Sequence, residues 1–134
     1  MSHLNSLGII HYDVKPANIM FDSLMIVKII DFGWSKTTVG AMPDGSVHCS
    51  LKGGTVSYKP PEGYDLVGTI SNKVDVWATG ITFYQMIYGK VPFGAGISHD
   101  DYIAQHREIH RDGFEFPTHI TMTEIRKRFI KSCL

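Results

Sequence analysis

The stretch His11-Tyr12-Asp13-Val14-Lys15-Pro16-Ala17-Asn18-Ile19-Met20 places an acid, a cation and an amide within the six positions from Asp13 to Asn18. Apolar residues flank it, Ile9 and Ile10 before and Ile19, Met20 and Phe21 after. Pro16 lacks a backbone donor and fixes its own φ. It also steers Lys15 away from the helical region. The expectation is a stiff loop between buried segments that presents Asp13, Lys15 and Asn18 together.

Those three side chains suit phosphoryl transfer. A carboxylate accepts the proton of an attacking hydroxyl, a lysine neutralises charge on the moving phosphoryl group, and an amide oxygen ligates Mg²⁺. The other reading is an ordinary polar turn in which Asp13 and Asn18 act as caps. The order H-x-D-x-K-P-x-N resembles the catalytic loop of protein kinases, and the neighbouring residues decide between the two readings.

Ile19 to Phe21 reads as a short strand, Asp22-Ser23 as a turn and Met25 to Ile30 as a second strand, so the pair can form a hairpin. Asp31-Phe32-Gly33 follows directly. An aspartate at this point could ligate a second face of Mg²⁺, and Gly33 would let the chain turn where a Cβ would clash. A bare tripeptide is a weak signal, but after a strand and shortly after the loop above it becomes a strong one. Trp34 to Lys52 is polar, with Gly40, Pro43, Asp44 and Gly45, and reads as a mobile loop. Thr37, Thr38, Ser46 and Ser50 are its candidate phosphate acceptors; for any one of them a plain loop hydroxyl is the simpler reading. Gly53-Gly54-Thr55-Val56-Ser57-Tyr58-Lys59-Pro60-Pro61-Glu62 then matches the end of a kinase activation segment, with Pro60-Pro61-Glu62 in place of A-P-E.

Asn72 to Tyr88 predicts a helix. Asn72 reads as its N-cap, with Asp75 three residues on in a capping-box-like arrangement, and Gly89 as its stop. Val74, Val76, Trp77, Ile81, Phe83, Met86 and Ile87 cover most of its circumference, the pattern of a helix in the middle of a core. An unpaired carboxylate at Asp75 would be costly there, so it is expected to be bonded. Ser98 to His110 reads as an amphipathic helix with Asp100 and Asp101 in its first turn. His106 and His110 lie one turn apart, but Glu108 is displaced from the H-E-x-x-H zinc pattern. A solvated face is the expectation for them. Thr123 to Leu134 reads as a basic helix with Ile125, Phe129, Ile130 and Cys133 on one side. Residues 1 to 7 read as the end of a helix stopped at Gly8, and both ends of the chain look cut from longer elements.

The chain has 134 residues, enough for one domain with a core, and is 43% hydrophobic, which excludes a disordered class. Lys+Arg and Asp+Glu are both 13, so no basic arm or patch points to direct nucleic-acid or membrane binding. Cys49 and Cys133 are far apart and read as two free thiols in a reducing compartment. No signal-peptide pattern or long apolar run is present, so a soluble, intracellular protein is expected.

Together these residues resemble the larger, C-terminal lobe of a protein kinase, and in detail the Tousled-like serine/threonine kinases. The finer likeness rests on Ile9-Ile10-His11-Tyr12-Asp13 where most kinases have H-R-D, and on Gly54-Thr55 leading to Pro60-Pro61-Glu62. It rests also on Ile70-Ser71-Asn72-Lys73-Val74-Asp75-Val76-Trp77, on Tyr88 to Gly94 and on Phe129-Ile130-Lys131-Ser132-Cys133-Leu134. Ser57 departs from it, standing where that family tends to carry an aromatic residue. The fold implied is mainly α, an α+β kinase-like arrangement with a short β-hairpin beside the catalytic loop and a central buried helix. Residues 1–134 would be a partial kinase domain, its N-terminal lobe and final helices missing.

The resemblance also implies roles. Asp13 would accept the hydroxyl proton and Lys15 would stabilise the phosphoryl group of ATP. Thr55 would hydrogen-bond both, Asn18 and Asp31 would hold Mg²⁺, and Met20 would pack beneath the adenine. Tyr58 and its neighbours would shape the pocket for the residue after the target hydroxyl. His11, Phe32, Gly33, Glu62 and Asp75 would be structural or regulatory, with His11 stacking on Phe32 and Asp75 accepting backbone hydrogen bonds from the loop. Tyr12 replaces an arginine that in many kinases pairs with an activation-loop phosphate, a pairing tyrosine cannot make. Protein substrates with Ser/Thr hydroxyls, chromatin-assembly partners and a nuclear location follow from the likeness alone. The sequence carries no G-x-G-x-x-G loop and no V-A-I-K lysine; Lys28 lies on the wrong strand. Two readings follow: the catalytic lobe of an active kinase, or a catalytically inactive fragment that binds proteins.

Overall fold

A computed structural model describes residues 2–38, 46–48, 53–64, 68–111 and 113–134. In chain order the elements are α1 (Ser2–Ser6), β1 (Ile9–Ile10), β2 (Ile19–Phe21), β3 (Val27–Ile29), β4 (Lys36–Thr37), β5 (Val47–His48), β6 (Thr69–Ile70), α2 (Lys73–Tyr88), α3 (His99–Arg111) and α4 (Glu124–Cys133). Short 3₁₀ turns cover Pro16–Asn18, Val56–Tyr58 and Pro61–Tyr64.

The strands pair in antiparallel twos. β2 and β3 form the expected hairpin, with Ile19 opposite Ile29 and Phe21 opposite Val27. The second strand begins two residues later than the sequence predicts, because the Asp22 carboxylate accepts the amides of Leu24 and Ile26, at 2.9 Å each, and so extends the turn. The stretch expected to be one mobile loop contains two strands. β4 pairs with β1 and β5 with β6. Residues 39–45 and 49–52, with Ser50 and Cys49, lie outside the described residues.

α2 is the middle of the fold. Its Val74 packs with Ile10, Tyr12 and Ile70, and its Tyr84 and Tyr88 pack with Met122 and Ile130. It ends at Gly89 in the left-handed region. Gly80 lets α4 approach closely, since a Cβ there would lie 2.7 Å from Cys133 Cβ. Two expectations for α2 need correction. Asn72 does not cap it: the residue is itself helical in φ and ψ, and its side chain bonds Asn5 instead. The helix is also not buried all round. Val76, Phe83 and Met86 are exposed: Val76 faces α1 beside Asn5 and Ile9, and α4 leaves an apolar groove along Phe83, Met86, Ile125 and Phe129 that no described residue fills.

α3 also differs from expectation. His106 and His110 are half-buried rather than solvated. The His106 ring stacks on Tyr64 at 4.7 Å, and His110 lies 4.5 Å from Phe93 and 5.5 Å from Trp77. The helix has few apolar side chains, so the imidazoles complete its inner face beside Tyr102, Ile103 and Ile109. Burial, with His106 nearby, pushes His110 down to about 4. The unfolded chain protonates this residue near 6.5 while the folded chain keeps it neutral. Stability is therefore full above pH 6.5 and falls as pH drops toward 4. The expected loss is about 2 kcal/mol, allowing for partial exposure. His110→Phe should flatten that limb in urea unfolding followed between pH 4 and 7.

Candidate active site

Ile10 is fully buried and enters the loop as the edge partner of Lys36. Lys15 is extended, at φ −162° and ψ 164°, as the following proline demands. Pro16–Asn18 then makes one 3₁₀ turn, closed by the Asn18 amide on the Lys15 carbonyl. This turn brings Asn18 back onto Asp13. Asn18 Nδ2 donates to the Asp13 carbonyl at 2.8 Å and to Asp13 Oδ2 at 3.0 Å.

The Asp13 carboxylate is almost fully buried and is held on several sides. Lys15 Nζ lies 2.9 Å from Oδ2. The Thr55 hydroxyl donates to Oδ1 at 2.6 Å and accepts from Lys15 Nζ at 2.6 Å. Burial pushes the Asp13 carboxyl up, but the bonds from Thr55 and Lys15, the Lys15 charge and the Asn18 amide outweigh it. The group titrates below its ordinary value.

Two backbone strains shape the loop. Tyr12 has φ 65° and Asp31 has φ 62°, both in the left-handed region. That conformation is disfavoured for a tyrosine and tolerated by an aspartate. Asp75 holds the first of them: its Oδ2 accepts the His11 amide at 2.7 Å and its Oδ1 the Tyr12 amide at 2.8 Å. Thus Asp75 bonds the loop, and the capping box does not form. Its own carboxyl is raised by burial, against the pull of the two amides.

The Asp31 segment reaches the loop through its neighbours. The Ile30 amide donates to the Asn18 carbonyl at 2.9 Å, and the fully buried His11 bonds the Ile30 carbonyl through Nε2 at 3.0 Å. The Phe32 ring meets His11 edge-on at 4.7 Å. Asp31 is therefore pinned one residue beyond Asn18's own backbone partner, and its side chain is exposed. The left-handed residue is Asp31 rather than Gly33. At Gly33 the constraint is space, because a Cβ would press to 3.1 Å on Asp31 Oδ1.

Some sequence-derived residues do not join this cluster. The strand after the loop is exposed rather than buried, and Met20 is 53% accessible. The hairpin is a lone two-stranded sheet, and no third strand of the described residues pairs with it. Glu62 is exposed in the turn Pro61–Tyr64 and makes no ion pair with a described residue. Thr38 bonds the Gly8 carbonyl and Ser46 is buried, while Thr37 lies in β4. The sequence reading missed Lys59, which is buried beside Tyr12 and Tyr64. It also missed the bond from the Tyr58 hydroxyl to Gln85. A lysine before two prolines gives no local signal of burial.

Gly54, at φ 68°, fixes where Thr55 falls, because a Cβ there would overlap the Tyr12 carbonyl oxygen. Gly54→Ala should push the segment off the loop. The expected loss is about 2 kcal/mol or more, the left-handed penalty for alanine plus the overlap, read by thermal unfolding.

The site's oxygen donors fit Mg²⁺. Asn18 spends its nitrogen on Asp13, which leaves its amide oxygen as the end for a cation, and Asp31 offers an exposed carboxylate. Mg²⁺ is usually held by one or two such oxygens together with substrate phosphates and water. Among the described residues, no group of three or more His, Cys, Asp or Glu could hold a metal.

A buried carboxylate bonded to a lysine and a threonine, an amide turned back onto it and a second carboxylate after a strand define a class. The chain belongs to the protein kinase domain family, which it matches over residues 1–134. Among individual proteins it is 40% identical to the serine/threonine-protein kinase TOUSLED of Arabidopsis thaliana over 133 residues, 96% of this chain and 19% of that one. It is 38% identical to the human serine/threonine-protein kinase tousled-like 2 over 146 residues, 100% of this chain and 19% of the relative. The tousled-like 1 kinase of Caenorhabditis elegans is also 38% identical, over 96% of this chain and 14% of its own length. The chain thus spans about a fifth or less of the curated relatives it matches. No helix among the described residues is long and apolar enough to cross a membrane.

Proposed function

We propose that residues 1–134 are the catalytic C-terminal lobe of a serine/threonine protein kinase, a partial kinase domain that transfers the γ-phosphoryl group of ATP to protein hydroxyls. The observation that carries this reading is the closed set Asp13–Lys15–Thr55 with Asn18 bonded to the same carboxylate. Asp13 orients the substrate hydroxyl and takes its proton. Lys15, held by Asp13 and Thr55, sets a positive charge beside the transferring group. Asn18 and Asp31 would hold Mg²⁺, which when bound neutralises charge on the phosphates. Met20, exposed on β2, supplies an apolar surface for the adenine. His11 and Phe32 fix Asp31 through the Ile30 carbonyl and the ring contact, and Asp75 fixes His11 and Tyr12. Thr55 and Lys15 together favour serine and threonine over tyrosine as acceptors. A nuclear location and chromatin-assembly partners are carried over from the Tousled-like resemblance alone.

The test is a chimera in which residues 1–134 replace the matching stretch of the Arabidopsis TOUSLED kinase, assayed for transfer from ATP to Ser/Thr peptides. The relative supplies the parts of the enzyme that lie outside its matched fifth. Transfer by the chimera supports the reading. A folded chimera with no transfer contradicts it.

A further inference from the structure

The segment from Asp31 to Glu62 touches the Tyr12 ring at several separate points. Lys36, just after Asp31-Phe32-Gly33, has its Nζ 5.6 Å from the ring centroid. Lys59, just before Pro60-Pro61-Glu62, has its Nζ 5.8 Å away and is itself buried, with Tyr64 at 5.9 Å. Between them Gly53 lies against the edge of the ring, where a Cβ would overlap it. The ring is buried with Ile10, Ile70 and Val74, so it is fixed to the core. An ammonium group within about 6 Å of an aromatic face is attracted by the ring quadrupole, more strongly as water is excluded. Thr55 lies between Gly53 and Lys59, and its hydroxyl joins Asp13 to Lys15.

We propose that Tyr12 is a positioning residue whose ring, through Lys36 and Lys59, ties both ends of the segment to the core and so keeps Thr55 on Asp13 and Lys15. This rests on the kinase reading only for the use made of the held segment. The device needs no phosphate on the segment, because the two lysines meet a neutral ring.

Amide hydrogen exchange on the chain tests it without any phosphotransfer, so its failure and that of the kinase reading are separate results. The reporters are the Tyr58 and Lys59 amides, bonded to the Thr55 and Val56 carbonyls, and the amides of α2. Lys36→Met and Lys59→Met, which keep the side-chain length and remove the charge, should each speed exchange at Tyr58 and residue 59 about tenfold while α2 stays unchanged. Tyr12→Phe, which keeps the ring, should exchange more slowly than the methionine variants, and Tyr12→Leu should not. Should Tyr12→Leu fail to fold, the lysine and phenylalanine variants still decide. Parent-like exchange in both methionine variants, equal acceleration in α2, or a phenylalanine variant as fast as the methionine ones would each overturn the proposal.

Discussion

Asp13→Asn in the chimera lowers phosphoryl transfer about a thousandfold, the typical contribution of a positioned base. Asparagine keeps the shape of the site. Its oxygen can face Lys15 and Asn18, and its nitrogen can face Thr55, whose hydroxyl then accepts rather than donates. The fold should therefore survive, while the base proposed to take the substrate proton is gone. The pH dependence follows from the lowered Asp13 carboxyl. The ionised form, and the rate with it, is present above the folded pKa and is lost only as pH falls through that value, below the ordinary carboxylate range. An asparagine variant that keeps more than a tenth of the parental rate would remove Asp13 from the chemistry.

Asp75→Ala carries the largest expected loss of stability. It removes the acceptor of the His11 and Tyr12 amides, which the carboxylate now binds at 2.7 and 2.8 Å. Each buried donor left unpaired costs about 1–3 kcal/mol, so about 4 kcal/mol together is expected. The loss also frees Tyr12 from a left-handed conformation it would otherwise leave. Domains are stable by only about 5–15 kcal/mol, so the variant should unfold at a much lower urea midpoint. Asp75→Asn retains one acceptor but points an N–H at an N–H, and should fall between variant and parent. An alanine variant with a parental midpoint would show that Asp75 does not hold the loop.

The loop, the hairpin and α2 were legible because each has a local cause. Pro16 sets Lys15, the Asp22 carboxylate makes a turn, and helical spacing marks Val74 to Tyr88. What escaped the sequence depends on partners distant along the chain. β4 and β5 are two residues each, and no periodicity announces them; their partners are Ile9–Ile10 and Thr69–Ile70. Asn72 has the chemistry of a cap, but α1 comes close enough for Asn5 to take its side chain. His106 and His110 have the spacing of a solvated face, yet Tyr64, Trp77 and Phe93 meet them from other elements. At the site, the residue types were readable from order alone. The left-handed turns at Tyr12 and Asp31, which aim them, were not.

Asn18 and Asp31 are proposed to share one cation on a nucleotide bound beside Asp13. The most direct measurement is paramagnetic broadening by Mn²⁺ with ATP, read by NMR on the chain. The Asn18 side-chain amide and the backbone amides of Asp31 and Phe32 should broaden first, and Asp31→Asn should weaken the effect. Sharp Asn18 and Asp31 signals while resonances elsewhere broaden would contradict it.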